Sequence, residues 1–218
     1  MLQKLLKLLF PPKCVLCKGI LAKGETDFCH KCRKDAPEFK KSNLRFSFVA
    51  GWTSVWYYKG MVRGSIQRYK FAGRRNYAPV YGRVLAMKLQ KENFCDFDVL
   101  TYVPTAFLRR MHRGYDQVEL LCNAVGEELG ADPVKTLRKV RNTPPQSGIK
   151  DVSRRRANVL GAYQFLEPEN IRGKRILLLD DVITTGATVS ECARVLLTAG
   201  AKEVFCASVA VTDHKTKM

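Results

Sequence analysis

The chain has 218 residues, enough for one substantial α/β domain and a small appendage. Lys and Arg number 38 against 20 Asp and Glu, a net charge of +18 that points to polyanions: nucleic acid, anionic lipid or phosphorylated metabolites. Aromatic residues make up 10% of the chain, which excludes a disordered basic tail, and no apolar run approaches the ~20 residues that span a bilayer.

Residues 1–10 are apolar with lysines at 4 and 7. They read as a short amphipathic helix, docked on its own domain or touching a membrane surface. The run lacks a small-residue cleavage site and meets Pro11-Pro12, so it is a poor export signal and a cytoplasmic location is expected. Cys14-Val-Leu-Cys17 and Cys29-His-Lys-Cys32 follow. Each pair can set two thiolates on one tetrahedral zinc, with Gly19 and Gly24 between them for the chain reversal. With four sulfur ligands no water position remains, so the zinc is expected to be structural. A redox Cys-x-x-Cys is the rival reading. His30 is either a substitute ligand or a surface residue. Cys95, Cys122, Cys192 and Cys206 lie in apolar contexts and read as core thiols.

Residues 45–58 are aromatic and β-branched, which suggests two strands broken near Gly51. Helices are expected over 61–70 and 77–91, separated by the basic loop 72–76. From Asp96 strands and helices alternate, which predicts a parallel sheet with helices on its faces. Phe97–Val103 is the first of these strands. A loop to Tyr115 and a helix over 116–129, ended by Gly130, come next. Short strands are expected at 134–137 and 159–165. The segment between them is basic and rich in turn formers. A helix over 187–199 and a strand over 203–211 close the pattern. The expected boundaries are 1–43 for the N-terminal helix and zinc ribbon and 44–218 for the α/β domain.

The most informative run is Ile176-Leu-Leu-Leu-Asp-Asp-Val-Ile-Thr-Thr-Gly-Ala-Thr188. Its continuously apolar start is that of a strand buried on both faces. Asp180 and Asp181 fall at the carboxyl end, where open α/β sheets bind ligands. Thr184, Thr185, Gly186, Ala187 and Thr188 then open a helix, whose free N–H groups favour a phosphate. Twin carboxylates beside a phosphate cradle suit the hydroxyls of a 5-phosphorylated ribose. A Walker loop is excluded, because no Gly-x-x-x-x-Gly-Lys-Ser/Thr occurs.

This run resembles the signature of type I phosphoribosyltransferases, which bind phosphoribosyl pyrophosphate (PRPP). The resemblance implies that Asp180 and Asp181 hold the ribose diol and that 184–188 hold the 5-phosphate. It assigns the diphosphate to the strand-loop-helix carrying Thr105, Arg109, Arg110, Arg113 and Gly114, where arginine forks suit phosphate oxygens. Magnesium is expected to accompany PRPP. The basic segment 138–158, with Arg141, Lys150, Arg154, Arg155 and Arg156, is read as a flexible lid over the sugar or as a grip on a nucleic-acid backbone. Trp52, Trp56, Tyr57, Tyr58 and Phe71 lie near basic residues and serve either as strand core or as a stacking surface for single strands.

The four cysteines, Arg113-Gly-Tyr-Asp-Gln117, Arg141-Asn-Thr143 with Gln146, Arg156-Ala-Asn158, Gly161-Ala162 and the 179–188 run together resemble the ComF family over nearly the full length. That family is linked to uptake of single-stranded DNA in natural competence. The resemblance implies PRPP and single-stranded DNA as partners, with a DNA-uptake helicase as a possible neighbour. The family commonly has Phe-Asn where this chain has Tyr115-Asp116, and Asp116 is read as a magnesium ligand or a helix cap. Two further readings stand beside this one: an active transferase using a nitrogen acceptor, and a non-catalytic PRPP sensor. The sequence assigns no catalytic residue.

Overall fold

The structure is a computed structural model that describes residues 11–40, 42–141, 157–167 and 170–213. The expected helix over 1–10, and Lys150, Arg154, Arg155 and Arg156, lie outside the described residues.

The fold is the expected α/β arrangement. A parallel sheet of four strands has the order β1 (Gly51–Tyr57), β6 (Glu203–Val211), β5 (Arg175–Ile183), β2 (Val99–Tyr102). β5 is interior, and its side chains alternate between two apolar layers. Leu177 and Leu179 join Leu85 and Leu89 of α3 (Ala78–Lys91) and Leu121 and Val125 of α5 (Gln117–Leu129). Ile176 and Leu178 join Val189, Cys192 and Leu196 of α6 (Ala187–Thr198). Both faces are therefore covered, which is why this strand reads as an unbroken apolar run. α3 and α5 approach backbone to backbone at Gly82, where a Cβ would lie 2.5 Å from that of Ala124.

The chain leaves β2 toward the α5 layer and leaves β5 toward the opposite, α6 layer. Two neighbouring parallel strands whose connections diverge leave a crevice outside their carboxyl ends. A two-stranded antiparallel pair, β3 (Leu137–Lys139) with β4 (Tyr163–Phe165), stands beside it on the α6 side.

The cysteine ribbon is continuous with the main core. Cys14, Val15, Leu16, Phe28 and Cys32 share one buried cluster with the α3/α5 face of the sheet. Its first knuckle is tied to α2 (Gly60–Phe71). Ser65 Oγ donates to the Val15 carbonyl at 2.6 Å. Arg68 Nη2 donates to the carbonyls of Val15 and Leu16 at 2.9 and 2.7 Å. Arg68 is thus spent on the ribbon.

Several expected elements differ. Residues 45–58 hold one strand, not two. Phe46 and Trp52 stack at 4.8 Å, and Trp52 Nε1 donates to the Leu44 carbonyl, so the segment before Gly51 packs through side chains instead of a ladder. The expected loop 104–115 contains α4 (Phe107–Arg113). The strand expected at 134–137 is displaced to 137–139, Val134 making a single bond to the Leu100 carbonyl. The strand expected from 159 begins at Tyr163. Cys122, Cys192 and Cys206 are core thiols, but Cys95 is exposed, in the polar turn after α3. Trp56 is buried, and Trp52 and Tyr57 pack on Phe39, so these three aromatics belong to the core, while Phe71 is 71% exposed. Among the described residues no helix is long and apolar enough to cross a membrane.

Candidate ligand cleft and metal centre

The thiolate atoms of Cys14, Cys17, Cys29 and Cys32 all lie within 4.8 Å of one another. Cys17 Sγ and Cys29 Sγ are 3.8 Å apart. That is the edge of a tetrahedron with Zn–S bonds of about 2.3 Å. Lys18 takes a positive φ of 69°, and the Gly19 N–H donates to Cys17 Sγ, as a zinc knuckle requires. The donor set fits zinc and favours the metal over the redox reading. His30 opens α1 (His30–Asp35) and is outside the cluster.

The crevice at the carboxyl ends of β2 and β5 is a cleft of about 520 Å³. It is lined by both aspartates, by Thr184, Gly186 and Thr188, and by Thr105, Arg109 and Arg113. One face of α2, Arg63, Gln67, Lys70 and Phe71, forms the opposite wall. Arg110, Gly114, Thr185 and Ala187 lie outside this lining. Gly114 caps α4 with a φ of 73°, and its carbonyl accepts from Arg75. Arg141 is also outside, donating to the Leu160 carbonyl.

β5 continues through the aspartates to Ile183, so strand alternation sends the two carboxylates to different faces. Asp181 meets the α2/α5 side. Lys70 Nζ lies 2.8 Å from its Oδ1, and Gln117 Nε2 donates to its Oδ2 at 3.0 Å. Arg113 Nη1 in turn donates to Gln117 Oε1 at 2.6 Å. Asp180 meets the α6 side, and its Oδ1 accepts from the Asp181 N–H at 2.8 Å. Burial, and then the neighbouring Asp181, raise the Asp180 carboxyl to about 8.

The turn after β5 is built around Gly186, whose φ of 77° and whose contact with the Phe46 ring both bar a side chain. α6 begins without a side-chain cap, so its first N–H groups are open to a ligand. Thr185 Oγ1 is buried and has no hydrogen-bond partner among the described residues. A phosphate oxygen fits both deficits. Asp116 resolves as a helix cap: it accepts from the N–H groups of Val118 and Glu119 and from the N–H and hydroxyl of Thr105. Its carboxyl, raised by burial, is turned to backbone and does not line the cleft.

Family models fit this geometry. One described as a phosphoribosyl transferase domain matches residues 98–218, and one described as a double zinc ribbon domain matches 5–43. The chain is 32% identical to Competence protein ComFC of Streptococcus pneumoniae, covering 83% of this chain and 74% of that one. The chain belongs to the ComF family. It is 24% identical to Competence protein F of Haemophilus influenzae, over 88% of this chain and 93% of that protein. It is 36% identical to DNA utilization protein YhgH of Salmonella typhi, over 50% of this chain and 48% of that protein, so the match spans about half the length of that relative. Among solved structures it is similar to the purine phosphoribosyltransferase of Pyrococcus horikoshii, with a TM-score of 0.39 and 18% identity over 62% of this chain and 83% of that one.

Sequence reasoning passed over Lys70, Gln117 and Lys139 as site residues. The sequence puts Lys70 on the polar side of α2 with Arg63 and Arg68, but nothing local says that this face meets β5.

A carboxyl raised in the folded state keeps a proton that the unfolded chain releases near pH 4. Its contribution to stability is therefore lost as pH rises from about 4 toward about 8. Asp180→Asn is expected to flatten this part of the pH profile and to raise ligand-free stability at pH 8 by on the order of 1 kcal/mol, read by urea unfolding across pH.

Proposed function

We propose that this chain binds PRPP with magnesium in the cleft and single-stranded DNA on its basic surface, and that it acts in DNA uptake for natural transformation. The observation that carries the first part is the convergence of three independent features. A pair of strand-end carboxylates, the uncapped start of α6 and two arginines meet in one cleft. The carboxylates accept from ribose hydroxyls. The 184–188 turn receives the 5-phosphate. Arg109 and Arg113 receive the diphosphate, with magnesium screening its charge.

The DNA part rests on the net charge of +18 and on exposed cations beside exposed rings. Phe107 and Arg110 are exposed side by side on α4, outside the cleft lining. Rings interleaved with cations hold single strands by stacking and phosphate contact. The names of the ComFC, Competence protein F and YhgH relatives support the process. A DNA-uptake helicase is the neighbour such a role implies.

A second reading, transfer of the phosphoribosyl group to a nitrogen acceptor, is favoured by the α2 face. Arg63, Gln67 and Phe71 line the cleft beyond the groups that PRPP uses. In that reaction the acceptor nitrogen bonds to C1, the C1–oxygen bond breaks, and pyrophosphate leaves. Pyrophosphate release dependent on one base from a panel would show it, and silence with every base would remove it.

PRPP with magnesium, at about one hundred times its dissociation constant, is expected to stabilise the protein by about 2.7 kcal/mol. Asp180→Asn with Asp181→Asn should abolish the shift in a thermal melt, and a shift that survives would remove the diol assignment. Binding of an oligothymidylate, followed by fluorescence anisotropy, is expected to weaken steeply between about 50 and about 200 mM salt. Replacing Arg154, Arg155 and Arg156 by alanine should lower both the affinity and the salt slope, and salt-independent binding would exclude backbone contact.

A further inference from the structure

Lys139 reads in the sequence as one more charge in a basic run. The structure treats it differently from its neighbours. β3 and β4 pair antiparallel, with Lys139 opposite Tyr163 and Arg138 opposite Gln164. Leu137 points inward and is 1% exposed. Arg138 points outward, where its guanidinium donates to Gln164 Oε1 at 3.1 and 2.7 Å. Lys139 is inward again by alternation. It lies past the apolar core, so its side chain enters the cleft instead of the core, as does Tyr163.

Its ammonium rests 5.1 Å from the Tyr163 ring centroid. Among the described residues no carboxylate or carbonyl accepts from it. The other cleft cations of known pairing are matched: Lys70 by Asp181, and Arg113 by Gln117. The charged groups facing Lys139 come from three elements. They are Arg109 on α4, Asp180 on β5 and the thiol of Cys192 on α6, with Tyr163 across the ladder. Arg109 is the stronger of the charged influences and it is of like sign. Two cations are held toward one space, one of them half-buried, and a polyanion between them would satisfy both.

We propose that Lys139 is a further cation of the diphosphate subsite, placed by the β3–β4 ladder to face Arg109 across the leaving group of PRPP. This rests on the PRPP reading above, and it deepens that reading by giving the diphosphate a contact from the α6 side of the cleft. Arg109 and Arg113 approach from α4; Lys139 closes the opposite side. Burial and Arg109 lower the ammonium to about 8, so a diphosphate beside it would hold the proton that Lys139 otherwise gives up above that pH.

The test compares two ligands that differ only in the diphosphate. Calorimetric titration of PRPP with magnesium and of ribose 5-phosphate is run on the wild type, Lys139→Ala and Lys139→Arg. The expected result is a loss of about tenfold or more in PRPP affinity for Lys139→Ala, with ribose 5-phosphate binding unchanged and Lys139→Arg close to wild type. Wild-type PRPP affinity should also fall, relative to Lys139→Arg, as pH rises through about 8. Asp180 titrates in the same window in both proteins, so the difference between them isolates Lys139. An unchanged PRPP affinity in Lys139→Ala, or an equal loss for both ligands, overturns the assignment. A wild type that binds neither ligand overturns the PRPP reading itself, and the lysine assignment with it.

Discussion

Two carboxylates end a strand whose preceding residues are wholly apolar, and the rest of the site is arranged around that cost. Asp180 is 9% exposed and Asp181 is 4% exposed. Adjacent buried carboxylates cannot both ionise without compensation. The structure resolves this by splitting them between the faces of the sheet. Asp181 receives Lys70 and Gln117 on one side. Asp180, with one backbone N–H and no ion pair among the described residues, retains its proton into neutral pH. The pair is thus poised unequally before any ligand arrives.

The compensation for Asp181 depends on α2, and α2 depends on the zinc ribbon. The two faces of this helix have different duties. Ser65 and Arg68 hold the carbonyls of the first knuckle, while Lys70, one turn along, holds the carboxylate. Tyr69 between them donates to the Gln117 carbonyl at 2.6 Å, and its own carbonyl accepts from Tyr115. The helix is therefore pinned at the ribbon, at the start of α5 and at β5. Losing the metal removes the closure that fixes Val15 and Leu16, and so loosens the cleft wall far from the cysteines. This gives a physical reason for a four-cysteine module to share a core with a ligand-binding sheet.

What was legible in the sequence follows from which forces are local. The β5 run, the Asp-Asp pair and the threonine turn announce themselves because strand, ligand edge and helix start are consecutive. The knuckles do so because ligand spacing is set by bond lengths. α4 was missed because none of its residues is buried, so no apolar period marks it; Phe107, Leu108 and Met111 all face out. Residues 45–50 mimic a strand in composition, but the Phe46 ring is used to cover Gly186 and Trp52. Lys70 and Lys139 were beyond reach for another reason. Each is an ordinary basic residue whose meaning comes from the element that it faces, and that pairing is a property of the topology.

The distribution of charge along the cleft narrows the ligand further than the net charge does. Its lining holds two acids, Asp180 and Asp181, at the strand end, and the cations Arg63, Lys70, Arg109, Arg113 and Lys139 come from α2, α4 and β3 around them. A uniformly anionic ligand would meet the carboxylates and be repelled there. A uniformly neutral one would leave half-buried cations unmatched. The arrangement suits a molecule with hydroxyls at its centre and phosphates at its ends, and the unequal protonation of the two aspartates makes the first contact with such hydroxyls inexpensive.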